Sequence, residues 1–168
     1  MLGTNISDLT SVEVKSALNR VKGLALLHTD TSFMDEKTTT LSEGVEHIFG
    51  TSIKGYEIHM GETTLLGKTT DFGTLQKRND KVVEAVEGAI SADGRVIGTY
   101  LHGIFDNSSF TRKFINKVRV EKGLTPIYEE PMDYLKYKDS QYDKLAEIVR
   151  ENLDMEKIYE ILEYGLQK

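Results

Sequence analysis

Four histidines are the side chains of this sequence best suited to proton transfer near neutral pH, because an unperturbed imidazole has a pKa of about 6.5. They are His28, His47, His59 and His102. The chain contains no cysteine, which excludes a thiol nucleophile, a disulfide and a thiolate metal site within it. A serine triad of the hydrolase type needs a Gly-x-Ser-x-Gly elbow, and the sequence has none.

His102 has the sequence surroundings of a functional side chain. It comes directly after a predicted strand, so it would lie at the rim of a sheet, where α/β enzymes collect their chemistry. Gly103 beside it would let a backbone pass closely, because it has no Cβ. The alternative is a histidine ring that only hydrogen-bonds within its loop, and the residues by themselves favour that alternative.

A second histidine, His59, is paired with a carboxylate by strand periodicity. The segment 55–61 alternates, so Tyr56 and Ile58 face one side while Glu57 and His59 face the other. Two metal ligands at this spacing are weak support for a metal site, and the sequence places no third ligand. We expect both side chains to support a site by hydrogen bonding, and neither is counted as catalytic.

A glycine-containing segment, Gly61–Thr69, looks like a phosphate-binding loop but has the wrong spacing. Five residues separate its glycines, whereas four are needed for successive backbone N–H groups to converge on one phosphate. No amphipathic helix follows it. We therefore expect a strand and its loop here, without a bound nucleotide.

Strands are predicted in the first two-thirds of the chain. Apolar or β-branched runs lie at 23–27, 37–41 and 55–61. A hairpin is predicted between 82–90 and 95–101, because the intervening Asp93-Gly94 pair suits the positive φ of a tight reversal.

Helices are predicted in the last third. One begins at Asn107 or Ser108 and ends at Gly123, and two more begin at a capping box in 140–143 and at Asp154. Strands followed by helices predict an α/β or α+β chain, with helices packed on a sheet.

Length and composition are those of a soluble globular protein. The 168 residues suit one domain, without repeats or linkers. A net charge of −6 argues against nucleic-acid or anionic-lipid partners. No apolar run approaches the roughly 18 residues of a membrane span, and the start lacks a signal-peptide pattern. We expect a cytoplasmic protein.

Two segments are similar to signature stretches of the cobyric acid synthase family. They are 55–61, Gly-Tyr-Glu-Ile-His-Met-Gly, and 93–106, which contains the sequence Tyr-Leu-His-Gly. The closing residues 142–159 also resemble that family's C-terminus, and the resemblance runs essentially along the whole chain.

The resemblance implies an α/β chain, specifically an incomplete class I glutamine amidotransferase domain of the flavodoxin-like, three-layer type. It would occupy residues 1–168 as a single partial domain. In that family the histidine of the Tyr-Leu-His-Gly motif is the catalytic base of the glutaminase, and this role carries over to His102. No cofactor-binding or metal-binding residue carries over.

The family's nucleophile is a cysteine in a Gly-x-Cys-Gly-Gly elbow, followed shortly by Gln-Met-Leu-Gly. This chain begins Met1-Leu2-Gly3, so by resemblance the elbow would precede Met1, along with the first strands and an ATP-using synthetase domain. We expect a truncated gene product, a fragment or half of a split enzyme. We expect the isolated chain to be inactive, because amide hydrolysis by this route needs the thiolate.

The resemblance also implies the parent reaction. Ammonia from glutamine would be transferred to four carboxylates of adenosylcobyrinic acid a,c-diamide in cobalamin biosynthesis, with ATP and Mg²⁺ acting in the synthetase domain. Glutamine, the corrinoid and the missing N-terminal portion would be the partners. Three alternatives stay open: the glutaminase part of a cobyrinate a,c-diamide synthase, a glutaminase subunit that amidates a cell-wall precursor, and a non-catalytic binding module with this fold.

Overall fold

The computed structural model of the chain describes residues 1–8, 11 and 20–166. These residues form two compact units, Met1–Glu129 and Glu130–Lys168. The first unit holds the described strands and one long helix, and the second unit holds two helices. The single domain expected over the whole chain stays a prediction.

The first unit is built on a seven-stranded mixed sheet and a separate two-stranded ribbon. The strands are β1 (Asn5–Ser7), β2 (Arg20–Lys22), β3 (Thr29–Glu46), β4 (Ser52–Leu65), β5 (Gly73–Arg78), β6 (Lys81–Glu87), β7 (Ala89–Ile90), β8 (Ile97–Gly98) and β9 (Leu101–His102). The sheet runs in the order β2-β1-β3-β4-β9, and β5 and β6 extend it from β3. The β1–β3 pair is parallel, and the other pairs, including the β7–β8 ribbon, are antiparallel.

The long antiparallel hairpin of β3 and β4 connects the parts of this sheet. Its register runs from the Thr29–Leu65 pair to the Val45–Ser52 pair, with a bulge between Phe33 and Thr38. One edge of β3 pairs with β4, while its other edge pairs first with β1 and further along with β5. One strand therefore joins the parallel and antiparallel parts of the sheet.

A buried carboxylate closes the turn between β3 and β4. Glu46 is fully buried and accepts hydrogen bonds from the backbone N–H groups of Ile48, Phe49 and Thr51, at 2.8, 2.9 and 2.6 Å, and from the Thr51 hydroxyl. Burial alone would raise the pKa of Glu46, but these donors outweigh it and the pKa is lowered. Three backbone N–H groups of the turn thereby have a charged acceptor.

The core lies where the sheet meets the first helix, α1 (Ser108–Glu121). It is formed by buried apolar side chains, which are Ile53, Phe72, Leu75, Leu101, Ile104 and Phe110. The rings of Phe72 and Phe110 meet edge to face with their centroids 5.9 Å apart, a favourable aromatic geometry. This packing fixes α1 and the preceding 3₁₀ turn, Ile104–Asp106, against the sheet.

The predicted strands at 37–41 and 55–61 are confirmed, since they lie within β3 and β4. The strand predicted at 23–27 is wrong. There the backbone N–H groups bond to the carbonyls of the first four residues, and Ala25 has a positive φ of 54°. These contacts wrap the segment around the start of the chain, and its apolar character contributes a single core side chain, Leu27.

The predicted hairpin is shorter than expected. Its turn forms with Gly94 at φ 69°, but only β7 and β8 pair across it. Residues 81–87 instead form β6 and pair with β5. The change of partner occurs at Gly88, whose φ of 60° interrupts the extended chain.

The second unit contains α2 (Tyr134–Asn152) and α3 (Met155–Tyr164). The predicted Asp154 cap is confirmed, since its carboxylate accepts from the Lys157 N–H at 2.9 Å. The capping box at 140–143 is wrong as a helix start. The helix begins earlier, at an Asp133 cap, and the Ser140 hydroxyl donates to a carbonyl one turn back at 2.7 Å.

The fold class expected from the sequence is confirmed: the chain is α/β, with a central sheet and helices at its C-terminal end. Of the helices in the described part of the chain, none has the length and apolar character needed to cross a bilayer.

We expect Phe72→Ala to lower the free energy of unfolding by about 3–5 kcal/mol, because it opens a cavity in the core. Phe72 is 1% exposed. Tyr128→Ala removes a ring that is 84% exposed and should change stability by less than about 0.5 kcal/mol. Urea titration of both variants checks this, and similar losses in the two would contradict the assignment of the core.

Candidate functional site

His102 lies at the end of the strand that forms one edge of the sheet. It is the last residue of β9, which pairs with β4 through Tyr56–His102 and Glu57–Leu101. Leu101 is buried in the core, so the alternation of the strand exposes His102. Among the described residues the His102 ring has no hydrogen-bond partner, and it is therefore available to a ligand or to another polypeptide.

The main chain of His102 is held tightly against β4. Gly55 lies so close that a Cβ at this position would come within 2.4 Å of the His102 carbonyl oxygen. The close approach expected at Gly103 thus occurs one strand away. Gly103 has a different function, because its φ of 80° turns the chain out of β9 and into the 3₁₀ turn.

Asn107 makes a second connection between this loop and β4. Its side-chain oxygen accepts from the Lys54 N–H at 2.9 Å, and its amide nitrogen donates to the Lys54 carbonyl at 2.9 Å. The same nitrogen also donates to the Ile104 carbonyl at 2.9 Å. Asn107 occupies the N-cap position of α1 as predicted, but its side chain makes no capping hydrogen bond.

Glu57 lies on the inner face of β4 in a polar network. It is 1% exposed and accepts a bidentate pair from Arg78, from Nε at 2.7 Å and from Nη2 at 2.8 Å. The hydroxyls of Ser42 and Thr40 donate to the same carboxylate at 2.5 and 3.1 Å. The predicted alternation of β4 is confirmed, and it is the polar side that is buried, whereas Tyr56 is 58% exposed.

This network keeps Glu57 ionised. Burial acts to raise its pKa, but hydrogen bonds from Arg78 and Ser42, and the charge of Arg78, lower the pKa to about 2. The Glu57 carboxylate in turn raises the pKa of Arg78. An ion pair in which both partners stay charged is suited to holding β4 and β5 together and not to transferring protons near neutral pH.

His59 contacts the same network from the next inward position of β4. Its Nδ1 lies 2.8 Å from the Gly61 carbonyl and its Nε2 lies 3.4 Å from Glu57 Oε1. The ring stacks on Tyr100 at a centroid distance of 4.1 Å, and the Tyr100 hydroxyl bonds to Thr63 at 2.6 Å. Both ring nitrogens of His59 therefore have partners, consistent with a supporting function.

A second buried carboxylate, Glu87, lies at the end of β6. It accepts from the Thr99 hydroxyl and from the Tyr100 N–H, the latter at 3.0 Å. Burial raises the pKa of Glu87, and the charge of Glu57 contributes in the same direction. Glu87 thereby fixes the two residues that immediately precede β9.

A cavity in the first unit has a volume of about 910 Å³. Its polar wall includes Glu57, His59, Arg78 and Tyr100, and the first three residues of the chain line it as well. His102 is not among its lining residues. The sequence-predicted candidates are thus divided: Glu57 and His59 face this cavity, whereas His102 lies at the sheet edge.

Two further expectations concern ligands. The segment from Gly61 completes β4 and then turns, with Gly67 at φ 61°, as expected for a strand and its loop. Within the described ranges no cluster of three or more His, Cys, Asp or Glu side chains could hold a metal ion.

Sequence reasoning missed the partners that fix these residues. Sequence patterns indicate only a capping function for Asn107, and they do not point to Arg78 or Glu87. A buried carboxylate needs a cationic or hydrogen-bonding partner, so Glu57 on an alternating strand signalled that one must exist. The identity of that partner, Arg78, depends on the pairing of β5 with β3. Sequence periodicity does not reveal this pairing.

These features define an α/β domain whose candidate catalytic side chain lies at the edge of its sheet. Residues 1–110 match the CobB/CobQ-like glutamine amidotransferase domain. The chain therefore belongs to that family.

Curated relatives extend the similarity over the whole chain. The chain is 46% identical to a cobyric acid synthase of Clostridium novyi strain NT over 168 residues, which are 100% of this chain and 33% of that protein. It is 46% identical to one of Caldanaerobacter subterraneus subsp. tengcongensis and 44% identical to one of Citrobacter koseri, each over 97% of this chain and 33% and 32% of the relative. The chain spans about a third of the length of these relatives.

We expect Glu57 to make stability depend on acidic pH. The unfolded carboxylate binds a proton near pH 4.5, but the folded one does so only near pH 2. Falling pH therefore favours the unfolded chain across this interval, by up to about 3 kcal/mol. Because Glu57→Gln removes this titration, the stability difference between wild type and the variant should shrink between pH 5 and pH 2.5.

Urea titrations at four pH values between these limits check this, and comparison with the variant cancels the contribution of Glu46, whose pKa does not depend on Glu57. Glu62→Gln, at an exposed position of β4, is the matched control and should parallel the wild type. A constant difference between wild type and Glu57→Gln would contradict the depressed pKa.

Proposed function

We propose that this chain is the C-terminal glutaminase portion of a cobyric acid synthase, in which it helps to release ammonia from glutamine. The proposal is carried by His102, an exposed histidine at the end of the edge strand. Its ring has no hydrogen-bond partner among the described residues. The proposal's support from comparison is the identity to cobyric acid synthases over the full chain.

In this proposal His102 moves protons for a thiol that lies on polypeptide outside the present sequence. The cysteine Sγ gives its proton to the imidazole and attacks the side-chain carbonyl carbon of glutamine. The carbon–nitrogen bond then breaks, and the nitrogen takes the proton from His102 and leaves as ammonia. Water cleaves the resulting thioester, which yields glutamate and restores the thiol.

The geometry around His102 supports such a function. A general base must be reachable by its reaction partner, and the nitrogen that takes the proton must be free of other hydrogen bonds. His102 meets both conditions, whereas His47 pairs with Asp71 at 3.0 Å and His59 is held on two sides. The exposed His28 meets them as well, and it is the resemblance of the Tyr-Leu-His-Gly segment that favours His102. The main chain of His102 is meanwhile fixed by strand pairing and by Gly55.

The full reaction is proposed from the relatives. They are cobyric acid synthases, and we infer that the ammonia is delivered to carboxylates of adenosylcobyrinic acid a,c-diamide. ATP and Mg²⁺ would activate those carboxylates. In this proposal that step takes place in the other two-thirds of such an enzyme.

A second candidate function follows from the absence of cysteine in the chain. A polypeptide of this family without a nucleophile could act as a non-catalytic binding module that keeps the fold. The two candidates differ in whether His102 matters for turnover.

We expect His102→Ala to lower glutamine-dependent activity about 10²–10⁴-fold in a complete enzyme, the usual contribution of a general acid–base. Activity with ammonia supplied as a salt should be unchanged. Such an enzyme is obtained by replacing the matching third of the Clostridium novyi relative with this chain. His47→Ala, a second exposed histidine, should match the wild type, and equal activity of the His102 variant would favour the binding module.

We also expect the isolated 168-residue chain to release no ammonia from glutamine above the buffer rate. The reason is that His102 alone provides a base without a nucleophile. A coupled glutamate or ammonia assay measures this. Release that depends on His102 would mean that another side chain of this polypeptide attacks the amide.

A further inference from the structure

We infer that Asn107 is a positioning residue for His102, and that its carboxamide takes the place of the backbone groups that would face Lys54 if β9 continued two residues beyond His102. This inference rests on the proposed function, because it gives the loop after His102 a catalytic purpose. It is carried by contacts within the first unit and by the way β9 ends.

The pairing along β4 shows that the Asn107 side chain replaces main-chain hydrogen bonds where β9 ends. Glu57 and Tyr56 pair with Leu101 and His102, and the His102 carbonyl then lies against Gly55. At the next position, Lys54, the main chain of β9 has already turned away. The two hydrogen bonds that a continuing strand would give to Lys54 come from Asn107, both at 2.9 Å.

A carboxamide is the side chain that can do this, because it carries the same donor and acceptor as a peptide group. The third contact, from the amide nitrogen to the Ile104 carbonyl, ties the intervening turn to the same point. His102 is thus fixed at two places, by its own pairing before Gly103 and by Asn107 after it. The ring projects from a short loop that is closed at both ends.

Helix capping is the rival explanation for an asparagine at this position. It predicts that the side-chain oxygen accepts a hydrogen bond from a backbone N–H in the first turn of α1, and that bond is not formed. Serine separates the two functions, because it caps a helix about as well as asparagine but is too short to pair with Lys54 in both directions.

Asn116 offers a matched control. Its side chain pairs with both backbone groups of Ile127, at 2.8 and 2.9 Å, in the same peptide-like manner. These two bonds match those of Asn107 to Lys54 but join α1 to a different loop, and Asn107 has one more bond, to the Ile104 carbonyl. Asn107→Ser should therefore lower the melting temperature by as much as Asn116→Ser or somewhat more.

The test uses the complete enzyme described above and measures glutamine hydrolysis. We expect Asn107→Ser to lower kcat about 100-fold, the loss typical of a displacement of about 1 Å at a reacting group. KM for glutamine should change less than about threefold, and ammonia-dependent activity should be unchanged, since positioning acts on the chemical step. Asn116→Ser should stay within about twofold of the wild type.

Amide exchange in the isolated chain gives a readout without catalysis. The Lys54 N–H should exchange about tenfold or more faster in Asn107→Ser, and should be unaffected in Asn116→Ser, because local protection follows the local bond. If Asn107→Ser equals Asn116→Ser in kcat while His102→Ala is inactive, the positioning inference is overturned. Retained activity in His102→Ala would overturn the proposed function itself.

Discussion

The ion pair between Glu57 and Arg78 is the interaction on which the inner face of the sheet depends. A carboxylate that is 1% exposed must be paired and hydrogen-bonded, since a buried lone charge is strongly unfavourable. Arg78 reaches it from β5 across the intervening β3, which adds the hydroxyls of Ser42 and Thr40. Three strands are therefore fixed in register by one side chain of β4.

The same strand positions the candidate site through its edge and not through its faces. Gly55 leaves room for the His102 carbonyl, and the Lys54 N–H donates a hydrogen bond to the Asn107 side chain. Glu57 stabilises the buried face of the same strand. Any displacement of β4 would thus be passed to the β9 loop. The buried pair and the exposed histidine are separate in chemistry but share the strand that holds both of them.

Sequence reasoning reached the features set by local patterns. Period-two alternation gave the two faces of β4, and cap and glycine signals gave the start of α3 and the end of α1. It failed where a distant partner decides the outcome. The segment 23–27 hydrogen-bonds to the first residues of the chain, and the segment 81–87 pairs with β5. The choice of these partners is not encoded in the two segments alone. His102 was singled out by its motif, but its positioning partner required the tertiary structure.

The contrast between His102 and His59 explains why one motif histidine is the better candidate for proton transfer. His59 is stacked on Tyr100 and has an acceptor near each nitrogen, so moving a proton would break contacts that stabilise the sheet. His102 has its main chain fixed and its ring unpaired among the described residues, so a proton can be gained or lost without disturbing the fold. A general base needs a nitrogen that its reaction partner can reach, and a fixed backbone helps to hold that nitrogen in place. The two histidines carry the same chemistry, and their neighbours determine which of them can use it.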